Sequence, residues 1–260
     1  MVVRPGGRGA GEERAVSTTT LGVIGSGMVG AGVARRAVDA GLRVVLANSR
    51  GPESLAALVA ELGERARAAT PAEAALAGEV VVAAVPLTAL HRLPVAELAG
   101  KVVVDPMNYA RKPGWENPEL DRDELTSSEL VQRALVGARV VKALHNIGPG
   151  QLLQLHRPDG APDRTALPVS GDDPAAKAEV AALLAALGFD AVDLGPLAES
   201  WRSEPNTPLY AVPYTGLPPE GLPIAEVVAW FQAADGVPLP ASRVRELAAS
   251  AVRPRAGFQL

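Results

Sequence analysis

The chain has 260 residues, a formal net charge of −4, 48% hydrophobic residues and no cysteine. This length is sufficient for one large or two smaller domains, each with its own core. The acidic balance argues against a nucleic-acid partner, and the missing cysteine excludes disulfides, thiol catalysis and zinc–thiolate sites. The histidines lie far apart in the chain, so we expect no metal centre. They are His91, His145 and His156.

The amino-terminal residues lack the apolar core of a signal peptide. Residues 1–19 are rich in glycine and arginine and are predicted to form a disordered leader. The longest apolar stretch, Val80–Leu90, is too short to cross a bilayer and contains a proline. We therefore expect a soluble, cytoplasmic protein with no membrane partner.

From Thr20 onwards, short apolar segments alternate with segments of helical pattern. The predicted strands are, in chain order, TLGVI, LRVVLA, ARAAT, EVVVAAVP, KVVVDP and ARVVKALHN. Predicted helices follow Gly27, Gly51, Thr70 and Thr126. The last two open with a capping box, a threonine followed three residues later by a glutamate. Strands and helices that alternate at this spacing predict an α/β fold, a doubly wound parallel sheet of the Rossmann type over residues 20–150.

The alternation becomes less regular after residue 150. One further strand–helix–strand unit is predicted between Ala166 and Gly195, with Asp173 as the helix cap. The segment 205–223 is too rich in proline for a sheet interior and is predicted to form an ordered loop or arm. Two helical patterns and a polar tail follow. We therefore predict a smaller C-terminal α/β and helical region over residues 151–260, for substrate binding or dimerisation.

A G-x-G-x-x-G motif follows the first predicted strand and opens the first predicted helix. Gly25 permits a tight turn, Gly27 lets the backbone approach a pyrophosphate, and Gly30 lets the helix pack against the strand. The helix N-terminus adds N–H groups for the phosphates. A glycine-rich turn without a ligand is the alternative, but the strand and helix around the motif favour dinucleotide binding. The predicted phosphate-binding residues are Gly25, Ser26, Gly27, Met28 and Gly30.

The second predicted strand ends without the acidic residue that NAD-binding chains carry. A carboxylate at this position accepts hydrogen bonds from the ribose hydroxyls of NAD and repels the extra phosphate of NADP. This chain has Asn48, Ser49 and Arg50 instead. Arginine pairs with a phosphate dianion, and the other two side chains donate hydrogen bonds. Such residues are also common in polar loops, but the missing acid and the arginine together predict NADP(H) as the cofactor.

Further candidates follow the later strands of the predicted sheet. Pro86 ends the fourth strand, where loops line the nicotinamide side of such a crevice. Tyr109 follows the fifth strand, and His145 and Asn146 end the sixth. A histidine at such a strand end is as often a structural residue as an acid catalyst. The candidate catalytic residues are Tyr109, His145 and Tyr210, and Asn146 is a candidate cofactor contact.

At these residues the chain resembles the coenzyme F420-dependent NADP oxidoreductase family. The similar segments are GVIGSGMVGAGVA, the SR after the second strand, VVVAAVP, VVKALHNI and the stretch from VSGDD to LGPL. They lie between Leu21 and Ser200. The resemblance implies a homodimeric NADP(H) enzyme that moves a hydride between the nicotinamide and a deazaflavin, with coenzyme F420 as co-substrate.

The resemblance also implies roles for individual residues. The glycine motif would hold the pyrophosphate, and Ser49 and Arg50 would hold the 2′-phosphate. Pro86 and the segment 145–147 would border the ring site.

Two other functions remain open at the level of sequence. The first is an NADPH-dependent reductase of a small-molecule imine or ketone, a reaction that benefits from a proton donor such as Tyr109, His145, Tyr210 or Tyr214. Polar residues near the site and the long C-terminal region favour it, whereas the family resemblance favours the deazaflavin. The second is a non-catalytic NADP(H)-binding sensor, for which no partner surface stands out.

Overall fold

The structure is a computed structural model, and it describes residues 19–111 and 115–259. The predicted leader lies outside the described residues apart from Thr19. The strands are β1 (Thr20–Ile24), β2 (Arg43–Ala47), β3 (Ala66–Ala68), β4 (Val80–Ala83), β5 (Val102–Asp105), β6 (Ala110–Arg111), β7 (Arg139–Lys142), β8 (Ala166–Gly171), β9 (Asp190–Asp193) and β10 (Phe258–Gln259).

Most of the helices connect these strands. They are α1 (Met28–Asp39), α2 (Ala56–Leu62), α3 (Pro71–Ala77), α4 (Val95–Leu98), α5 (Pro118–Asp121), α6 (Ser127–Ala134), α7 (Pro149–Gln154), α8 (Pro174–Ala186), α9 (Ile224–Ala233) and α10 (Ala241–Ser250). Short 3₁₀ helices occupy Pro52–Leu55, Gly63–Arg65, Leu87–Arg92, Leu197–Ser203 and Val212–Tyr214. Along the described ranges, none of the helices combines the length and the apolar character that crossing a bilayer requires.

Eight strands form one sheet in the order β3-β2-β1-β4-β5-β7-β8-β9. The chain runs outwards from β1 to β3 and then returns to β4 beside β1, so the direction of winding reverses between β1 and β4. The neighbouring pairs from β3 to β7 are parallel, which confirms the predicted doubly wound α/β fold. In such sheets ligands bind at the carboxyl ends of the strands, at the point where the winding reverses.

The central strands are buried on both faces, as their β-branched sequences predict. Successive side chains of a strand point to opposite faces. In β4, Val80 and Val82 join one hydrophobic cluster, with residues of α1 and α8, whereas Val81 and Ala83 join the other, with a residue of α6. The sheet is therefore covered by helices on both sides, and its carboxyl edge is left for a site.

The helix starts that the sequence predicts are present. The Thr70 hydroxyl accepts the N–H of Glu73 while the Glu73 carboxylate accepts the N–H of Thr70, and Thr126 and Glu129 form a second such capping box. The carboxylate of Asp173 caps α8. These local hydrogen bonds fix where α3, α6 and α8 begin.

The strands on either side of residue 150 belong to the same sheet. β8 pairs antiparallel with β7, and β9 pairs parallel with β8. The boundary that we predicted at residue 150 stays a prediction. The proline-rich arm, residues 205–223, is held at the carboxyl edge of β7 by Asn146, whose amide donates to the Leu209 carbonyl and the Tyr214 hydroxyl. The arm is therefore ordered against the sheet.

Candidate cofactor site

A cleft of about 500 Å³ opens at the carboxyl ends of β1, β2 and β4. Its size falls in the range of about 300–1,000 Å³ that is usual for ligand pockets. Three segments line it: the β1–α1 turn, the loop after β2 with the start of α3, and residues 84–93 after β4. The cleft brings together the predicted residues Gly25, Ser26, Gly27, Asn48, Ser49, Arg50 and Pro86.

The three glycines of the β1–α1 turn differ in what surrounds them. Gly25 has φ +109°, and a Cβ there would lie 2.0 Å from the Ala84 carbonyl oxygen. A Cβ at Gly30 would lie 1.9 Å from the Gly25 carbonyl oxygen, so this glycine lets α1 pack against the turn. A Cβ at Gly27 would meet no atom within 4 Å. Gly27 therefore faces the open space of the cleft, where a pyrophosphate would approach the backbone.

The N-terminus of α1 is open towards this space. Gly27 is its N-cap residue, no side chain caps it, and its first turn contains no acidic residue. The first N–H groups of a helix have no partner within the helix, and they attract anions. Because Gly27 also lines the cleft, the free N–H groups of α1 are available to a phosphate there.

Asn48 organises the loop after β2. Its amide nitrogen donates to the hydroxyls of Ser26 at 3.0 Å and Ser54 at 2.9 Å, and its amide oxygen accepts the N–H of Arg50 at 2.9 Å. Asn48 is buried, with 9% of its surface exposed. Asn48 thus ties the phosphate loop to the loop after β2, and Ser49 and Arg50 are left exposed to the cleft.

The charged residues along the described part of the cleft are Arg50 and Arg92. Arg92 ends the 3₁₀ helix Leu87–Arg92 that follows β4. Sequence analysis did not single it out, because the loop after β4 was expected to border the nicotinamide rather than the adenosine half. The signal in the sequence that could have indicated Arg92 was an arginine a few residues after Pro86. Together, the two cations, the free helix N-terminus and the space at Gly27 fit NADP(H).

His145 lies at the same sheet edge, two strands away from β4, and is 5% exposed. Its Nε2 is 2.9 Å from the Ser203 hydroxyl, which donates its own proton to the Ser200 carbonyl at 3.2 Å. When the Ser203 proton is used in that bond, Nε2 carries a proton and donates it to Ser203, and Nδ1 is the acceptor. Burial, and secondarily the charge of Lys142, holds the pKa of His145 well below its ordinary value. The imidazole is therefore neutral near pH 7.

Hydrogen-bond acceptors without partners cluster in the segments after β5 and β7. Among the described residues, His145 Nδ1, Asn108 Oδ1 and Asn146 Oδ1 are buried and have no hydrogen-bond partner. The Asn108 amide donates to the His145 carbonyl at 2.8 Å, which links the two segments. An unsatisfied buried polar group costs about 1–3 kcal/mol. These three atoms are closed off from solvent, and none of their residues lines the cleft at the ends of β1, β2 and β4.

The structure places the two candidate tyrosines elsewhere. The Tyr109 hydroxyl donates to Asp121 at 3.1 Å and accepts the N–H of Asn117 at 3.0 Å, and its ring packs against Trp115. Burial raises the pKa of the half-buried Tyr210 hydroxyl, so it stays protonated at neutral pH. Neither residue lines the described cleft. Catalytic roles for Tyr109, Tyr210 and His145 stay predictions.

A buried charged cluster supports the sheet edge beneath His145, and sequence analysis did not find it. Lys142 and Asp105 are both fully buried, and their charged groups lie 3.6 Å apart. The Lys142 ammonium is also 3.8 Å from Glu204 and donates to the Ser127 hydroxyl at 3.0 Å. The cluster joins β5, β7, α6 and Glu204, the residue just before the arm. A lysine inside the apolar segment VVKAL was its signal in the sequence.

The fold and this cleft define a dinucleotide-binding oxidoreductase of the NADP-dependent class. Residues 20–109 match the family described as NADP oxidoreductase, coenzyme F420-dependent. The hypothetical protein SMa0349 from Sinorhizobium meliloti is 32% identical with a TM-score of 0.64, over 74% of this chain and 93% of that protein. A "putative F420 dependent NADP-reductase" from Arthrobacter sp. FB24 is 30% identical with a TM-score of 0.58, over 70% of this chain and 86% of that protein. The chain belongs to the family of coenzyme F420-dependent NADP oxidoreductases.

A curated relative is much longer than this chain. The metalloreductase STEAP3 of Rattus norvegicus is 31% identical over 201 residues, which are 76% of this chain and 38% of that protein. The chain spans less than two fifths of the length of the curated relatives that it matches.

Proposed function

We propose that the protein transfers a hydride between NADP(H) and a deazaflavin of the coenzyme F420 type. The observation that carries the proposal is that one sheet edge combines two features. The first is a cleft with a phosphate loop and unpaired arginines, and the second is the group of buried acceptors beyond β4. Membership of the family and the relative from Arthrobacter support the choice of acceptor.

Hydride transfer between the nicotinamide and the deazaflavin depends more on holding the two rings face to face than on a strong acid in the protein. When bound, NADPH supplies a hydride from nicotinamide C4, which the deazaflavin accepts at C5 together with one proton at a ring nitrogen. The neutral His145 cannot supply that proton as an imidazolium near pH 7. The residues around the site therefore act by positioning the rings.

The buried acceptors give a reason to favour a deazaflavin. Its pyrimidine ring carries an N–H group beside two carbonyls, a donor that the unsatisfied acceptors of Asn108, His145 and Asn146 would bind if the segments after β5 and β7 opened to admit the ring. A ketone presents only a lone pair, which would leave these acceptors without partners. An iminium donates an N–H, so an imine reductase is the second candidate function. The following assay decides between the two.

The decisive assay follows NADPH oxidation by absorbance with purified protein and coenzyme F420 as the acceptor. We expect rapid turnover with F420. A matched control replaces F420 with FMN, a true flavin that accepts the hydride at N5 instead of C5, and we expect little turnover with it. If NADPH binds but F420 is not reduced, the deazaflavin proposal is wrong. Turnover with cyclic imines would then establish the second candidate.

Arg50 is expected to decide between NADPH and NADH. We predict that Arg50→Ala weakens NADPH binding about 10- to 100-fold, because a charge-assisted hydrogen bond contributes about 1.5–3 kcal/mol. NADH, which lacks the 2′-phosphate, should change little. Titration calorimetry measures both affinities. Arg43→Ala, which alters an exposed arginine at the opposite end of β2, is the control. Equal losses for both cofactors would refute the 2′-phosphate assignment.

A cytoplasmic location and a homodimer remain part of the proposal, and both rest on the sequence.

A further inference from the structure

We propose that Arg92, which lines the same cleft as Arg50, is a second cation for the 2′-phosphate of NADP(H). This inference rests on the proposed NADP(H) function. It assigns a role in cofactor specificity to an element after β4, whereas the predicted specificity residues all follow β2.

The 3₁₀ helix Leu87–Arg92 has two faces with different environments. Such a helix has three residues per turn, so side chains three positions apart point the same way. Leu87 and Leu90 share one face and are buried, with 4% and 9% of their surfaces exposed. Ala89 and Arg92 share another face, and both line the cleft. The buried leucines therefore hold the helix in the orientation that directs Arg92 towards the cleft.

Arg92 and Arg50 both lack a counter-charge. In the described parts of the chain, neither guanidinium has a carboxylate within 4 Å or any hydrogen-bond partner. Elsewhere Arg35, Arg139 and Arg164 each pair with a carboxylate. Two unpaired cations in one cleft repel each other, and a dianion between them removes that repulsion. A 2′-phosphate is the dianion that this end of the cleft would receive.

The uncharged residues of the cleft provide a surface for the adenine ring. Pro71, Ala89 and Leu93 line the same cleft as Arg50 and Arg92. These apolar groups are suited to the two faces of a purine ring. Arg92 is exposed, as is Arg50, which places both guanidiniums where the most highly charged group of the cofactor meets water. The phosphate, rather than the base, is therefore the partner of Arg92.

The test compares two nicotinamide-free probes, adenosine 2′,5′-bisphosphate and 5′-AMP, by titration calorimetry. Arg92→Ala should weaken the bisphosphate about 10- to 100-fold, the effect of a lost charge-assisted hydrogen bond, and leave 5′-AMP within about twofold. Arg92→Lys should recover part of the affinity, because it restores the charge without the bidentate geometry. Arg43→Ala is again the control, and a thermal unfolding curve verifies that each variant is folded.

The other outcomes separate this inference from the proposed function. If Arg92→Ala weakened the binding of both probes equally, Arg92 would stack on the adenine. If it changed the affinity for neither probe, Arg92 would have no contact with the cofactor. Both results overturn the inference. If Arg50→Ala still removes the preference for the bisphosphate, the NADP(H) assignment survives. A wild-type protein without any preference for the bisphosphate would refute both.

Discussion

Replacement of Gly27 by valine is expected to abolish NADPH binding and to leave the fold intact. A Cβ at this position meets no protein atom within 4 Å, and the backbone angles of φ −70° and ψ −173° suit a valine. The isopropyl group would fill the space through which the pyrophosphate approaches the N-terminus of α1. Loss of two charge-assisted hydrogen bonds at about 1.5–3 kcal/mol each corresponds to at least about a 100-fold loss of affinity.

The measurement pairs NADPH titration with thermal unfolding. Gly30→Val is the matched variant in the same motif, because its Cβ would lie 1.9 Å from the Gly25 carbonyl oxygen. We expect it to lower the unfolding temperature, whereas Gly27→Val should not. The two variants therefore separate a residue that makes room for the ligand from one that makes room for the helix. Retained NADPH affinity in Gly27→Val would mean that the phosphates bind elsewhere.

Removal of the buried ammonium group, by Lys142→Met, is expected to lower the free energy of unfolding by about 3–5 kcal/mol. That is the usual cost of deleting one partner of a buried ion pair, since the remaining charge is left uncompensated. Here two carboxylates, Asp105 and Glu204, would lose the ammonium between them. Urea unfolding at neutral pH measures the loss. A change below about 1 kcal/mol would contradict this account of the cluster.

Two further variants test whether charge is the cause. Glu204→Gln added to Lys142→Met removes one uncompensated charge and keeps an oxygen that accepts from Ser127, so it should restore part of the stability. Lys177→Met breaks an ion pair with the exposed Asp193 and should cost no more than about 1 kcal/mol. Lys142→Met should also raise the pKa of His145, because the Lys142 charge is one of the causes that lower it. A proton NMR titration follows that shift.

The part of the site that could be predicted is the part formed by residues that lie close together in the sequence. Gly25 and Gly27 lie in one short motif, and Ser49 and Arg50 follow directly after a strand whose β-branched residues identify it. The structure adds that Asn48, expected to contact the phosphate, uses its amide to hold Ser26, Ser54 and the Arg50 backbone. That role depends on which side chains the folded loop brings near, which spacing along the chain does not encode.

The sequence by itself determined the class of fold and the phosphate loop of this protein. Apolar strands, capping boxes such as that of Thr70 and glycine turns all act through neighbours a few residues away, so their patterns can be recognised without the fold. Only the tertiary structure decided the antiparallel entry of β8, the pairing of β10 with β6, the place of Arg92 in the same cleft as Arg50 and the burial of Lys142. Each of these joins segments tens of residues apart or more, and such contacts are selected by packing and charge compensation in the folded chain.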